Sequence, residues 1–422
     1  MQLILSSGFG RLHLAQSADW LSKYGVTVGL VCGWVPYKSN GWLVGLCSRI
    51  VGRDLAPGMR KRAIKLSHGG AVLSCGWVDF LEQGLLLLDR KLFCGHFHSR
   101  IRAFSWKVFG WQSKRYLKKY SKTRDVVFHV RSGAGHGGAI RLAHKLGIPV
   151  IVDHSIAHPV YMEENLRSEF EKNGMKFDLG VSSPFWRLIV EDCEWADVLL
   201  VNSLFVRDTF VEQGYPAEKI KVVYLGTRPD FFGLRNVRAT ERGGRKMRLL
   251  FTGGFGFRKG AEYILDAIRI LIDKAPVPFE MDIVGDFCGA KALIEKYKND
   301  NLPVVFHGPV PQDDLKRFLA QSDIYVFPSL AEGCACSGME AMAAGLCVVA
   351  THEAGLPIED GVNGCIVPSK DASAVAEKIL HLMARPEDVD QIGTNASKLI
   401  QTRYTWELYA QNVTNIYKDL LK

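Results

Sequence analysis

The sequence predicts an α/β protein of two domains, each a parallel sheet layered between helices. Three observations carry that prediction. Short runs rich in Val, Ile and Leu alternate with helical apolar spacing along most of the chain. The pattern restarts after Arg228, where Pro229 opens a connecting segment and ERGGRK at 241–246 makes a polar turn. At 422 residues the chain exceeds one ordinary domain and suits two.

The first half begins with strands at Leu3–Leu5 and Val26–Val31, with a helix from about Leu12 to Lys23 between them. Strands at Val126–Val130 and Ile148–Val152 are separated by a glycine-rich turn and a helix carrying Ile140, Leu142 and Ala143. Val198–Asn202 is a further strand, before a helix near Val206–Gln213. In the second half Met247–Thr252, Glu280–Val284, Val304–His307, Ile324–Phe327 and Cys347–Ala350 read as strands. The expected domains are therefore 1–228 and 229–404. A last helix spans Thr405–Leu420, where Trp406, Leu408, Tyr409, Val413, Ile416 and Tyr417 keep helical spacing. The run Leu85–Leu88, between Glu82 and Asp89-Arg90-Lys91, reads as a buried helix or strand. The stretch 35–125 holds no recognisable motif.

A composition with 23% charged and 47% hydrophobic residues excludes disordered and fibrous classes. No apolar run reaches the roughly 18 residues of a membrane span. The N-terminal MQLILSSGFG lacks a basic start and a long apolar core, so no secretory signal is expected. The ten cysteines are scattered, and Cys334-x-Cys336 fits neither a disulfide framework nor a C-x-x-C metal site. A reduced protein on the cytoplasmic side is expected. Charge is uneven: residues 1–125 carry 20 Lys+Arg against 6 Asp+Glu, a local +14 in a chain of net +9. Two readings stay open, a solvated basic face or attraction to an anionic partner such as an acidic lipid surface. Nucleic acid is disfavoured, because no recognition-helix or zinc-finger pattern occurs.

Four segments carry chemistry. EGCACSGME, Glu332–Glu340, follows the strand IYVF and enters a helix, at the strand edge where open α/β sheets bind ligands. A carboxylate there can accept hydrogen bonds from both hydroxyls of a vicinal diol such as ribose. Ser337-x-x-Glu340 also matches a capping box, so Glu340 has two readings. FTGGFGFRKG, Phe251–Gly260, sets glycines, including Gly254, and the cations Arg258 and Lys259 before a helix N-terminus, a combination that favours a diphosphate. SSGFG, with Gly8 and Gly10, is either a tight strand-to-helix turn or a backbone wall facing that diphosphate. VDHSIAHP ends a strand with Asp153, His154 and His158, structural or functional. His96 and His98 lack a carboxylate or cysteine at helpful spacing, so no metal is expected. Asp388-Val389-Asp390 reads as solvated surface.

Together these residues resemble the retaining GT-B glycosyltransferases of the group 1 / family 4 type, including bacterial enzymes of polysaccharide and lipid assembly. The likeness is specific from about Ala196 to Pro368, at CEWADVLLVNSLFVRDTF, KIKVVYLGTRPDFF, FTGGFGFRKG, VVFHGPVPQDDLKRFLAQSDIYVFPS, EGCACSGMEAMAAGLCVVAT and DGVNGCIVP. It is looser before Ala196, chiefly at SSGFG and GIPVIVDHS. The resemblance implies two Rossmann-like domains facing a cleft, with the C-terminal helix crossing back onto the first. It implies that Arg258 and Lys259 hold the donor diphosphate, Glu340 the ribose hydroxyls, and Glu332 the donor sugar near its reacting face. Gly8 and Gly10 match the glycine loop beneath the phosphates, His154 a histidine near the sugar, and Val310 the base contact.

The expected donor is a nucleotide-diphosphate sugar such as a UDP- or GDP-sugar, the acceptor a glycan or lipid-linked sugar, with no cofactor or metal required. Two departures bear on sugar identity: AGLPIEDGVNG has no glutamate directly after Pro357, and Cys334 and Cys336 replace larger apolar residues. A nucleotide-sugar epimerase of similar architecture and an inactive sugar-nucleotide-binding subunit are the alternatives.

Overall fold

The computed structural model describes residues 1–9, 13–35, 45, 49, 66, 68–120, 125–175, 177–236, 239–240 and 243–422. Among them the strands form two parallel sheets, ordered β3-β2-β1-β4-β5-β6-β7 and β10-β9-β8-β11-β12-β13.

The first sheet contains β1 (Gln2–Ser6), β2 (Thr27–Cys32), β3 (Ala71–Ser74), β4 (Val126–Arg131), β5 (Val150–His154), β6 (Val198–Val201) and β7 (Ile220–Val222). Its helices are α1 (His13–Lys23), α2 (Gly76–Phe93), α3 (His98–Tyr120), α4 (Ala139–Lys145), α5 (Pro159–Lys172), α6 (Pro184–Glu194) and α7 (Leu204–Val211). Strand alternation sends successive side chains to opposite faces. Leu3 and Leu5 therefore join one core with Leu14 and Leu21 of α1, while Ile4 joins another with Phe109 of α3 and Ile140 of α4. Burial on both faces explains the near-continuous apolar strands.

The second sheet contains β8 (Met247–Thr252), β9 (Phe279–Val284), β10 (Val304–Gly308), β11 (Ile324–Phe327), β12 (Cys347–Thr351) and β13 (Cys365–Val367). Its helices are α8 (Ala261–Lys274), α9 (Lys291–Lys296), α10 (Gln312–Gln321), α11 (Cys336–Ala344), α12 (Ala372–Ala384) and α13 (Pro386–Arg403). The closing helix α14 (Trp406–Leu420) lays Trp406, Tyr409, Val413 and Tyr417 against Leu3 and Leu5 of the first sheet. Tyr417 reaches His129 of β4, with its hydroxyl 2.7 Å from Nδ1.

Two sequence expectations fail. The Leu85–Leu88 run is helical, as one of its readings held, but Leu87 and Leu88 are exposed because α2 turns its acids inward instead. Asp390 is not solvated surface. It sits 2.8 Å from the Arg235 guanidinium and accepts from the Ala239 and Thr240 N–H groups, which ties the connecting segment to α13. Val389 beside it is fully buried.

Strand order reverses between β1 and β4 in the first sheet and between β8 and β11 in the second. Such switch points open a crevice at the carboxyl ends of the strands. The loops after β1, β8 and β11 all lie there.

Candidate functional site

The loop after β8 is shaped by its glycines and anchored by its phenylalanines. Gly253 and Gly260 hold φ of +116° and +76°, and a Cβ on Gly260 would lie 2.0 Å from the Pro328 carbonyl oxygen. Phe255 and Phe257 are buried, and the Phe255 N–H donates to the Asp286 carbonyl at 2.7 Å. Gly254, by contrast, is exposed, and a Cβ there would meet only the Asp286 carbonyl oxygen at an ordinary 4.0 Å, so packing does not dictate its glycine. The effect is to present Arg258 and Lys259 on one short turn just before α8.

That turn is laced to the loop after β11. The Leu330 N–H and the Ser329 hydroxyl donate to the Arg258 carbonyl at 2.8 and 3.1 Å. Arg258 Nη1 donates to the Ala331 carbonyl at 2.6 Å and pairs with Glu332 Oε1 at 2.7 Å. Lys259 Nζ stands 3.6 Å from the same oxygen and 5.1 Å over the Phe327 ring. Two cations and one anion thus share a partly buried corner with a net positive charge.

Glu340 lies one helix turn into α11, which starts at Cys336 with Ala335 as its cap and no side-chain capping bond. The capping-box reading therefore fails. Ser337 instead bonds to the Tyr325 hydroxyl at 2.9 Å. Glu340 lines a cavity of about 650 Å³ between the two sheets, walled by His13, Asp19 and Trp20 on one side and by Arg228, Gln312 and Cys336 on the other. Burial pushes its carboxyl up to about 7, with the Arg228 cation opposing and Asp230 reinforcing the rise. The Cys336 thiol connects the two clusters. Burial, then Glu340 and Glu332, push it up to about 11, and Lys259 opposes them. Val310, half-buried after β10, lies beside Pro311 and the cavity-lining Gln312.

The first sheet supplies the opposite wall. Gly8 takes φ +70°, and a Cβ there would lie 2.8 Å from the Trp106 ring of α3. Gly10 lies outside the described residues. The Ala157 N–H donates to the Glu332 carbonyl at 3.1 Å, and the Ser203 hydroxyl to the Gly333 carbonyl at 2.5 Å, so the ends of β5 and β6 grip the Glu332 loop. His154 is on that edge but buried, with Nδ1 2.9 Å from the Ser132 hydroxyl and its ring against Phe210. Burial, His158 and Arg131 pull its imidazole down to about 3, so it is neutral.

Several cavity residues escaped sequence reasoning, Asp19, Trp20 and Gln312 among them, and His13 most of all. His13 Nε2 lies 2.8 Å from Asp153 Oδ1, and His129 Nε2 lies 3.6 Å from Oδ2. Burial raises the Asp153 carboxyl, yet these two rings hold it far below the usual carboxylate range. Nothing local in the sequence links positions so far apart.

Two family profiles match the chain: "Glycosyltransferase Family 4" over residues 72–231 and "Glycosyl transferases group 1" over residues 246–385. The amylovoran biosynthesis glycosyltransferase AmsK of Erwinia amylovora is 30% identical over 236 residues, which is 53% of this chain and 56% of that protein. The match spans about half the length of such curated relatives. Among solved structures, sucrose-phosphate synthase from Thermosynechococcus elongatus aligns over 100% of this chain and 99% of its own, with TM-score 0.66 and 18% identity. Anabaena HepE in complex with UDP aligns over 99% and 100%, with TM-score 0.62 and 15% identity. These structures share the fold, two parallel-sheet Rossmann-like domains in the GT-B arrangement.

Proposed function

The chain belongs to the glycosyltransferases of group 1 and family 4, and on that premise we propose that it moves a hexose-type sugar from a nucleoside diphosphate sugar to an acceptor hydroxyl with retention of configuration. Polysaccharide or glycolipid assembly is the proposed setting, in line with the name of AmsK, an amylovoran biosynthesis glycosyltransferase.

The observation that carries this reading is the corner of Arg258, Lys259 and Glu332, which does not itself line the cavity but is joined through Cys336 to the cavity wall that holds Glu340. As the glycosidic C–O bond breaks, negative charge builds on the departing diphosphate. Two fixed cations in a partly dry corner stabilise that charge without reorganising. They supply the neutralisation a divalent ion supplies elsewhere, so the proposal requires no metal. Glu340 accepts the ribose diol and sets the nucleoside end, and Val310 borders the base. Glu332 faces the sugar hydroxyls, and the neutral His154 hydrogen-bonds near the sugar without taking a proton at neutral pH. The glycine loop at Gly8 forms the wall behind the phosphates, and exclusion of water protects the donor from hydrolysis. The HepE complex with UDP, which shares this fold, supports the choice of a nucleotide donor.

No described helix is long and apolar enough to cross a membrane. Peripheral attachment on the cytoplasmic face, motivated by the basic first third, is part of the same proposal, with a glycan or lipid-linked acceptor.

The test is a panel of UDP- and GDP-sugars incubated with the purified protein and a set of glycan and lipid-linked acceptors, with and without EDTA. Acceptor-dependent nucleoside diphosphate release from at least one donor, unchanged by EDTA, is expected, and NMR of the glycosylated acceptor should show the donor's anomeric configuration in the new glycosidic bond. Release no faster than buffer for every donor, or an inverted product, overturns the corresponding part.

A further inference from the structure

Helix α2 is built inside out. Its three acids, Asp79, Glu82 and Asp89, are buried. They have internal partners: Asp79 accepts from the Trp34 N–H, and Asp89 Oδ1 from the Phe97 N–H at 3.0 Å. The opposite face carries Trp77, Phe80, Leu87, Leu88 and Leu92, each between 51% and 67% exposed. Spacings of three, seven, one and four residues keep those side chains on one stripe of a 3.6-residue helix. A large apolar stripe facing water marks a surface with a partner.

The neighbouring helix states what kind of partner. Along one face of α3 run Arg100, Phe104, Lys107, Trp111, Arg115 and Lys118, basic and aromatic side chains in alternation and all exposed. The Arg115 guanidinium lies 5.1 Å from the Trp111 ring. No Asp or Glu occurs anywhere in α3. The two stripes adjoin: Trp77 from α2 and Gln112, Arg115 and Lys119 from α3 line one shallow pocket of about 370 Å³.

We propose that the joined outer faces of α2 and α3 dock this protein onto an anionic lipid surface, the α2 stripe entering the headgroup–acyl boundary and the α3 cations meeting lipid phosphates. Interfacial helices combine these features, an apolar face beside cationic flanks with long side chains that reach the phosphate level. A second copy of the chain is a poor occupant, because it brings the same positive stripe against this one. The face also stands directly behind the cleft. Trp106 on the inner side of α3 touches Gly8, while Phe104 and Lys107 point outward, so about one helix diameter, roughly 10 Å, separates the glycine loop from the lipid. An acceptor held in that membrane is within reach.

The proposal deepens the peripheral attachment above and is independent of the donor chemistry. Flotation on phosphatidylglycerol–phosphatidylcholine vesicles against pure phosphatidylcholine vesicles, at low and high salt, tests it. The wild-type protein should float with the anionic vesicles at low salt. Leu87→Glu/Leu88→Glu and, separately, Arg115→Glu/Lys119→Glu should each lower binding at least about tenfold. Lys418→Glu/Lys422→Glu, at the far C-terminus, should leave it unchanged. Equal binding by all variants, or none by wild type, overturns the assignment. So does a wild-type dimer that the Leu87→Glu/Leu88→Glu variant converts to monomer without lipid, since a second copy then covers the stripe. Circular dichroism melts of the same proteins report an intact fold. If sugar transfer to every acceptor is missing from all of them while flotation persists, the activity reading falls and the docking face stands.

Discussion

Arg258 Nη1 lies 2.7 Å from Glu332 Oε1 and donates to the Ala331 carbonyl at 2.6 Å, so the Glu332 loop fixes the guanidinium from two adjacent residues. A charge held this way is aimed in advance, which is the condition under which it stabilises a transition state cheaply. Arg258→Ala and Lys259→Ala should each lower turnover by roughly 10²-fold or more, the scale of losing one such partner. Arg258→Lys should fall nearly as far, because Nη1 alone meets both the Ala331 carbonyl and Glu332 and leaves the guanidinium's other N–H groups for the diphosphate, whereas a compact ammonium held by the same two partners has far fewer left to offer. Steady-state rates on the best donor decide it; near-normal transfer by both alanine variants removes the pair from the mechanism.

Glu332 places a negative charge where the proposed diphosphate must also bind. Glu332→Gln should therefore split the kinetic constants. Removing the competing anion leaves Arg258 and Lys259 free for phosphate and tightens UDP or GDP binding severalfold, while turnover drops. Calorimetry gives the affinity and initial rates the turnover. A variant that loses both together would show that Glu332 acts mainly by holding Arg258 in place.

The Glu340 carboxyl, pushed up to about 7 by burial, titrates near neutral pH. Only its ionised form accepts from both ribose hydroxyls, so nucleotide affinity should weaken as pH falls from 8 to 6, by about tenfold for a group of that pKa. Binding at pH 7 should release protons, visible as a dependence of calorimetric heat on the buffer's ionisation enthalpy. Glu340→Gln should bind more weakly at pH 8, and the nucleotide's own titration should be all that remains of its pH dependence. A wild-type profile parallel to that of the variant rejects the ribose assignment.

What was legible in the sequence was what is local. The strands of both sheet centres read directly, because burial on two faces makes them apolar throughout. Of the edge strands only β10 did, at Val304–His307: β3 is half-buried along its length, and β7 and β13 are three residues each, too short for a period. Helix α2 misled because its apolar side faces out: the run Leu85–Leu88 read as a buried helix or strand from its apolar composition, and Leu87 and Leu88 are exposed. The cationic turn was legible because glycines, Arg258 and Lys259 are consecutive and follow a strand. His13 was not, since its partner Asp153 is 140 positions away and only sheet topology brings them together.

Gly260 sets the geometry of that turn. Its φ of +76° belongs to the left-handed region, and a Cβ would press on the Pro328 carbonyl. Gly260→Ala should cost roughly 1–3 kcal/mol of stability. It should also lower turnover, because the displaced backbone carries Lys259 and the carbonyl of Arg258 that Leu330 and Ser329 hold. Gly254→Ala, exposed and with only an ordinary 4.0 Å contact to the Asp286 carbonyl oxygen, should cost far less stability. Thermal melts of the two variants make the comparison, and equal losses would show that the strain is not at Gly260.

Two histidines on the cleft side should make the fold sensitive to acid. Burial pulls His154 down to about 3 and His158 to about 4, from an ordinary 6.5. In the unfolded chain both rings bind protons as pH falls through 6.5, while in the folded chain they stay neutral until far lower. The stability their neutral burial contributes is therefore whole above pH 6.5 and drains away toward pH 4, by up to about 1.4 kcal/mol per unit for each ring. The buried Asp192 carboxyl runs the other way: burial raises it to about 8, so its contribution is lost as pH rises through that window. The informative quantity is the difference between wild type and His154→Asn/His158→Asn, in which the carboxyl contributions cancel. That difference in unfolding free energy should shift steadily against the wild type from pH 6.5 to pH 4 in urea titrations. A difference independent of pH over that range would mean that the two rings are not held neutral in the fold, and the role given to His154 as an uncharged hydrogen-bonding group would go with it.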